Sequence, residues 1–213
     1  MATAGEIMQR DGLRVGVTGH RPDRLAKADL PELRARVAEV LSALQDGSCG
    51  RVTLVSALAE GADQLVAEVA LAAGLRLVSP LPFPLETYDL DFANGHALGA
   101  FRTLLAQAAE VEELPGSRDS PGERAAAYAA VGARIVDRVD ALLAIWDGAQ
   151  SRGAGGTADV VAQARRAGVP SVWISATTPH RVTILDSDVP TRAIAHAAMD
   201  AVRTRFVPLA PSL

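Results

Sequence analysis

The chain has 213 residues, a formal net charge of −4 and a single lysine, Lys27. This length suits one α/β domain or two small ones, and the acidic balance argues against DNA or RNA as the main partner, because nucleic-acid binders usually carry a basic face. With one cysteine, Cys49, no Cys or His metal-ligand spacing, no run of 18 apolar residues and a polar start, we expect a cytosolic protein without disulfide, metal, cofactor or membrane segment.

Buried strands and amphipathic helices alternate along the chain. Apolar runs bounded by turn residues predict strands at residues 13–19, 51–58, 75–82, 140–146 and 169–175. Apolar residues at helical spacing predict helices at residues 30–44, 61–74, 123–139, 157–168 and 189–206. The less regular middle, 83–122, predicts one or two helices, a short strand near 109–115 and a loop at 115–122.

This alternation implies right-handed βαβ units. We therefore predict an α/β protein with a single doubly wound, mostly parallel sheet and helices on both faces, a Rossmann-like fold. The domain is expected to span residues 13–207, between a flexible N-terminus (1–12) and a C-terminal tail (208–213). Because ligands of such sheets bind outside the carboxyl ends of the strands, the loops that follow the strands are the candidate sites.

The first of these loops is the stretch TGHRPDR. Gly19 allows a tight exit from the strand, and His20 and Arg21 follow where a ligand would lie. Arg21 suits a contact with phosphate. The alternative is that His20 bonds a neighbouring backbone group and that Arg21 is only solvated.

The second loop, SALAEGAD, precedes a predicted helix. Gly61 permits the turn, and the N–H groups at the helix start would form an anion site. Ser56, Glu60 and Ala62 complete the candidate binding residues of this loop. Asp63 is expected either to cap the helix or to hold a ribose hydroxyl.

The third loop joins Asp147, at a strand end, to the glycine-rich stretch GAGGT. Glycine costs backbone entropy, so this cluster indicates either a flexible surface loop or a place where a phosphate lies against the backbone. Gly155, Gly156 and Thr157 would present N–H groups and a hydroxyl at a helix N-terminus, where the glycines let a phosphate approach. The stretch matches neither the Walker loop nor the dinucleotide fingerprint.

Two further groups complete the candidates. Glu86, Asp89 and Asp91 follow the third strand and would accept hydrogen bonds from a base or sugar, or simply occupy a solvated first helical turn. Arg124 and Tyr128 are four residues apart on one helix face, where Tyr128 would stack on a base and Arg124 would bind a phosphate. The alternative is a core aromatic residue beside a surface arginine.

Two of these motifs resemble the SLOG superfamily, which joins the Rossmann domain of DNA-processing protein A with the lonely-guy phosphoribohydrolases. The stretch LVSALAEGADQLVAEVALAAGLRLV is similar to the Ser-Gly-Leu-Ala-x-Gly-x-Asp loop of the former. The stretch RGAGGTADVVAQARRAGVPSVWI is similar to the Pro-Gly-Gly-x-Gly-Thr-x-x-Glu loop of the latter. The resemblance covers most of residues 13–175 and is closest to stand-alone or sensor-type members.

The departures from the lonely-guy motif concern its chemistry. Val160 stands where the hydrolases have their Glu, Ala154 replaces the second motif glycine, and Arg152 replaces the motif proline. Valine cannot act as a general acid or base. The carboxylates that could replace the motif Glu are Glu60, Glu86 and Asp159.

These features predict a domain that binds or senses a nucleotide or nucleotide-derived small molecule. The alternative is a nucleoside 5′-monophosphate phosphoribohydrolase that releases a free base, with Glu60, Asp63 or Asp159 assisting the departure of the base. A binder of single-stranded DNA, as in DNA-processing protein A, is the least favoured reading because no basic groove is evident. The resemblance also implies a homodimer. The closing helix would either meet a partner or cover the sheet with one face, formed by Ile194, Ala198, Ala201 and Val202.

Overall fold

The computed structural model describes residues 12–49, 51–92, 95–150, 155–179, 181–191 and 193–206. Except for Gly12, the predicted flexible N-terminus lies outside these ranges, and so does the whole predicted C-terminal tail. The described chain forms one seven-stranded sheet with helices on both of its faces. The predicted α/β, Rossmann-like fold class is confirmed.

The strands run in the spatial order β4-β3-β2-β1-β5-β6-β7, and only the pairing of β6 with β7 is antiparallel. They are β1 (Leu13–Gly19), β2 (Val52–Val55), β3 (Arg76–Leu81), β4 (Glu110–Glu113), β5 (Ala141–Trp146), β6 (Ser171–Ser175) and β7 (Val182–Leu185). The five predicted buried strands and the short strand near 109–115 are confirmed. Strand β7 was not predicted, because it is a partly exposed edge strand without a continuous buried run.

All five long predicted helices form, and the irregular middle contains two more. The helices are α1 (Pro22–Leu25), α2 (Leu30–Gly47), α3 (Ala62–Ala72), α4 (Leu85–Asp89), α5 (Gly95–Leu105), α6 (Pro121–Arg138), α7 (Thr157–Arg166) and α8 (Ala193–Phe206). Helix α6 begins earlier than predicted because Ser120 caps it by accepting the Glu123 N–H over 3.2 Å. None of the described helices combines the length and apolar character needed to span a membrane.

Two hydrophobic cores lie on opposite faces of the sheet. Along β5 the side chains alternate: Leu143 and Ile145 belong to the core that includes residues of α2, α3, α5 and α8, whereas Leu142 and Ala144 belong to the core that includes residues of α6 and α7. A central strand of a parallel sheet is therefore apolar on both faces, as the continuous run of β5 predicted.

The strand order reverses between β1 and β5. The chain leaves β1 to build β2, β3 and β4 on one side, then crosses back to lay β5 against the other side of β1. The connections on the two sides therefore diverge above the carboxyl ends of these two strands. A crevice forms at this position, which is where open α/β sheets bind ligands.

The closing helix α8 packs on α2 and covers the sheet. Ala198 and Val202 are fully buried, and Ile194 and Ala201 are partly buried. The two helices meet so closely that a Cβ at Gly47 would lie 2.7 Å from the Ala197 carbonyl oxygen and from the Ala198 Cα. Of the two roles predicted for this helix face, covering the core is the one that the structure shows.

This contact predicts that Gly47→Ala destabilises the protein. The added methyl group would push against the backbone of α8, so we expect the free energy of unfolding in urea to fall by roughly 1–3 kcal/mol. Gly99→Ala is the matched control: Gly99 lies inside α5 with open space around its missing Cβ, and alanine should raise stability by about 0.5–1 kcal/mol. Shifts of the same sign in both variants would contradict this account.

Candidate ligand-binding cleft

A cleft of about 360 Å³ opens at the carboxyl ends of β1 and β5. Its walls come from the loops after β1 and β2, from α6 and from the N-terminus of α7. The volume falls within the range of small-molecule sites. The predicted site residues that line the cleft are Gly19, His20, Arg21, Asp63, Tyr128, Gly155, Gly156 and Thr157.

His20 ties the end of β1 to the end of β5. Its backbone N–H donates to the Ile145 carbonyl over 3.0 Å. Its buried imidazole Nε2 lies 3.1 Å from the Asp147 backbone N and 3.0 Å from Asp147 Oδ1. Burial lowers the pKa of His20 against the opposing pull of the Asp147 carboxylate, so the imidazole is neutral near pH 7. Nε2 then accepts the Asp147 N–H in one tautomer and donates to the carboxylate in the other.

The Asp147 carboxylate is occupied by the protein itself. Arg24 Nη2 donates to Oδ2 over 2.5 Å, and the Ala149 N–H donates to Oδ1 over 2.9 Å. Burial alone would raise the pKa of Asp147, but these two bonds and His20 hold it at about 2. Asp147 does not line the cleft. It links the loop after β1 to the loop after β5, and its carboxylate has few acceptor positions left for a ligand.

The first turn of α7 presents backbone donors to the cleft. Gly156 is the N-cap residue and has no side chain to cap the helix. The N–H groups of Thr157 and Ala158 have no acceptor in the described part of the chain. Such N–H groups, aligned with the helix dipole, form an anion site. The motif positions Arg152 and Ala154 lie outside the described residues.

Gly155 lies against the backbone of α6, and this close contact leaves no room for a side chain. Its φ is +78°, and a Cβ there would lie 2.6 Å from the Ala129 backbone N and 2.8 Å from the Tyr128 carbonyl carbon. We predicted that the glycines of this loop make room for a phosphate. At Gly155 the space that the missing side chain leaves is filled by the backbone of α6.

The loop after β2 contributes less to the cleft than predicted. At Gly61 φ is +108°, and a Cβ would lie 2.5 Å from the His20 carbonyl oxygen. The Ala62 N–H already donates to that same oxygen over 3.0 Å, so it is not available to an anion. Ser56, Glu60, Gly61 and Ala62 do not line the cleft, and Asp63 is the candidate from this loop that does.

Asp63 is a buried carboxyl group in the cleft wall. It lies in the first turn of α3, where Gly61 rather than Asp63 is the N-cap residue. Ser56 Oγ donates to Asp63 Oδ2 over 3.4 Å. Burial raises the pKa of Asp63 to about 7, although Arg21, the Ala59 N–H and the Ser56 hydroxyl oppose the shift. A cleft carboxyl that titrates near neutral pH is suited to general acid–base chemistry.

Tyr88, on α4, lines the cleft next to Asp63 and was not predicted as a site residue. Its side chain is fully buried, and its hydroxyl has no hydrogen-bond partner among the described residues. From the sequence, only the acids of this segment are candidate site residues, because a lone tyrosine amid Leu and Phe is typical of the core. Its ring does pack in the core, so only the fold reveals that its hydroxyl lacks a hydrogen-bond partner among the described residues.

Asp91 is the one of the three predicted acids that lies beside the cleft residues. Tyr128 and Arg118 both hydrogen-bond to its carboxylate, and Arg21 Nη2 lies 3.9 Å from Asp91 Oδ2. Burial, together with the Asp91 carboxylate, raises the pKa of Tyr128 to about 12. The other two acids serve elsewhere: Glu86 is exposed, and Asp89 pairs with Arg102.

The cleft has an apolar side on α6 and α7. Val131, Ile135 and Val160 line it and belong to one buried cluster. Trp146 also borders the cleft, and its indole is held by a 2.7 Å hydrogen bond from Nε1 to the Ala149 carbonyl. Val160 thus contributes hydrocarbon where the lonely-guy motif has a carboxylate.

The remaining candidates lie away from the cleft. Arg124 and Asp159 are exposed on α6 and α7 and do not line it. Tyr128, one turn further along α6 than Arg124, does line it. Across the described ranges, no three His, Cys, Asp or Glu side chains lie together as a metal site would require.

The fold is similar to that of a known protein. The crystal structure of DNA processing protein A from Streptococcus pneumoniae matches with a TM-score of 0.53, over 90% of this chain and 56% of that chain. The predicted Rossmann-like fold is therefore confirmed. At 16% sequence identity the likeness concerns the fold alone, and this chain spans little more than half the length of that protein. No protein-family model and no curated protein matches the sequence.

The raised pKa of Asp63, about 7, makes stability depend on pH. The folded state holds this proton more tightly than the unfolded state, so the free energy of unfolding should fall as pH rises from about 4 to 7 and level off above. Asp63→Asn should flatten this slope and, at pH 8, exceed the wild type in stability by up to about 4 kcal/mol. Urea denaturation between pH 4.5 and 8 measures both.

Asp119→Asn is the control for this experiment, because Asp119 is exposed in the loop before α6. It should keep the wild-type slope. An Asp63→Asn profile parallel to that of the wild type would show that the Asp63 carboxyl titrates in its ordinary range.

Proposed function

We propose that this protein binds a nucleotide or a nucleotide-derived small molecule in the cleft. The observation that carries the proposal is that two groups line one cleft at the point where the strand order reverses. One is the first turn of α7, whose Thr157 and Ala158 N–H groups have no acceptor among the described residues. The other is Arg21, whose guanidinium makes no hydrogen bond to the described residues and is two-fifths exposed.

In this proposal the phosphate binds between these two groups. The N–H groups of Thr157 and Ala158 and the α7 dipole favour a negative charge. Arg21 can add a charge-assisted, bidentate contact. The 3.9 Å separation of Arg21 from Asp91 is too long for a hydrogen bond, so a phosphate would not have to replace one.

The base would lie against the apolar side of the cleft. Val131, Ile135 and Val160 supply a hydrocarbon surface there, and Trp146 supplies an aromatic one. A mostly apolar wall with a few convergent polar groups is the usual composition of a small-molecule site. Val160 supports binding or sensing over the lonely-guy reaction, because it removes the carboxylate on which that reaction depends.

Single-stranded DNA is the partner that the name of DNA processing protein A would suggest. The formal net charge of −4 does not favour it. A short oligodeoxythymidylate therefore belongs in the binding panel, and tighter, salt-sensitive binding of this oligonucleotide would replace the proposal.

We also propose that the protein forms a homodimer, which light scattering would test. The dimer would use a surface other than the buried face of α8.

Arg21→Ala tests the phosphate contact. Losing a charged hydrogen-bonding partner should weaken nucleotide binding about 10-fold or more, as measured by calorimetry after a thermal-shift screen with AMP, GMP, CMP and UMP. Arg124→Ala is the matched control, since this exposed arginine does not line the cleft, and it should bind as the wild type does. If no phosphate-bearing compound shifts the melting temperature at millimolar concentration, the proposal is wrong.

Asp63 favours a second candidate function, a phosphoribohydrolase. Its buried carboxyl, with a pKa of about 7, lines the cleft, whereas Glu60 and Asp159 do not. In this reaction the N-glycosidic bond breaks, Asp63 donates a proton to the departing base, and water adds to the sugar to give ribose 5-phosphate. The carboxylate then regains its proton from that water.

Incubation with the same four nucleotides, followed by chromatography for free base, distinguishes the two functions. If the protein is a hydrolase, Asp63→Asn should lower base release at least about 100-fold, because general acid catalysis contributes that much, while nucleotide binding persists. Binding by the wild type without any release of base would leave only the binding function.

A further inference from the structure

We propose that Tyr88 and Asp63 form a subsite for a sugar hydroxyl at the inner wall of the cleft. This inference rests on the nucleotide-binding function proposed above and assigns its selectivity. The ligand class is a ribonucleotide, discriminated from nucleotides that lack the ribose hydroxyls.

The unpartnered hydroxyl of Tyr88 is the first observation. It is fully buried and has no hydrogen-bond partner in the described part of the chain. Its ring is held by Phe83, Phe92 and Phe101, with centroid distances of 6.1, 5.3 and 5.3 Å. The aromatic packing fixes the ring, so the hydroxyl cannot turn to solvent. A buried polar group without a partner is costly, which makes a function for it the natural explanation.

The chemistry of Asp63 is the second observation. Its carboxyl group also lines the cleft, and Ser56 Oγ approaches only one of its oxygens, at a long 3.4 Å. A carboxylate has about four acceptor positions. With the Ala59 N–H as its other protein donor, Asp63 keeps capacity to accept a further hydrogen bond.

A donor beside an acceptor matches a hydroxyl group. The Tyr88 O–H can donate to the ligand oxygen while the ligand O–H donates to Asp63, since a hydroxyl is both donor and acceptor. A phosphate would be repelled by Asp63 whenever its carboxyl is ionised, and an ammonium group would not use the Tyr88 donor. Burial raises the pKa of the Tyr88 hydroxyl, so it remains protonated and able to donate.

The groups around Tyr88 and Asp63 determine the charge of the subsite and how a ligand would reach it. Arg21, Tyr128 and Asp91 are the other charged or titratable groups close to Tyr88. Asp91 is already engaged by Tyr128 and Arg118. Arg21 is partly exposed and makes no hydrogen bond to the described residues, so it is the neighbour best able to move. A phosphate that draws Arg21 toward α7 would open the inner wall to the sugar.

The test compares ligands that differ only in their hydroxyls. Calorimetry with AMP, GMP, CMP and UMP, each beside its 2′,3′-dideoxy counterpart, should show that the wild type prefers the ribonucleotide about 10-fold. Tyr88→Phe should bring the two affinities within about 2-fold by weakening the ribonucleotide alone. The affinity of the dideoxynucleotide is the internal control for an intact phosphate contact.

Thermal melting without ligand provides a second readout. Tyr88→Phe removes a hydroxyl that has no partner within the described ranges, so its melting temperature should equal or exceed that of the wild type. Tyr128→Phe removes a hydroxyl that donates to Asp91, and its melting temperature should fall. The two melting temperatures therefore distinguish a hydroxyl that is available to a ligand from one that stabilises the folded protein.

Three outcomes would overturn the subsite. If the wild type binds ribonucleotides and dideoxynucleotides equally, the nucleotide function stands and the subsite is wrong. If Tyr88→Phe weakens both ligands alike, or melts below the wild type, the hydroxyl has a structural role instead. If no nucleotide binds at all, the proposed function and the subsite fail together.

Discussion

The parallel pairing of β1 with β5 is the constraint on which the rest of the structure depends. It continues past the strand ends, where the His20 N–H meets the Ile145 carbonyl at 3.0 Å and the imidazole meets Asp147. Arg24 extends the same link into α1. Because the strand order reverses here, the chain connections on the two sides diverge and leave a crevice. The hydrogen bonds between the ends of β1 and β5 form the base of this crevice. The crevice is thus a consequence of chain topology, stabilised by a small buried polar network.

The glycine-rich loops position the cleft more than they contact a ligand. Gly61 lets the turn before α3 lie against the His20 carbonyl, and Gly155 lets the loop before α7 lie against the backbone of α6. These close contacts fill the space beside each glycine. At Ala62 the backbone N–H is also used, because it donates to the His20 carbonyl. The close contacts also set the start of α7 at the crevice, with Thr157 and Ala158 as its donors. In the proposed nucleotide site, Gly155 matters because it lets the N-terminus of α7 lie at the crevice.

The cleft is chemically asymmetric, and this asymmetry carries the functional proposals. One side is hydrocarbon from α6 and α7, including Val160. The inner wall is polar and buried, with Asp63 and the open Tyr88 hydroxyl. Burial raises the pKa of Asp63, and it leaves the Tyr88 hydroxyl without a hydrogen-bond partner among the residues that the structure describes. An apolar surface for a base beside polar groups for a sugar and a phosphate fits one nucleotide.

The sequence by itself determined the alternation of strands and helices, the fold class and the rim of the cleft, because apolar periodicity and turn residues report local backbone geometry and burial. His20, Arg21 and Thr157 follow directly from that reasoning. Only the tertiary structure revealed β7, which pairs as an exposed edge, and decided that Arg124 faces away while Tyr128, one turn along, faces in. It alone joined Tyr88 to Asp63, 25 positions apart, since the partners of a side chain depend on how distant elements pack and leave no trace in local pattern.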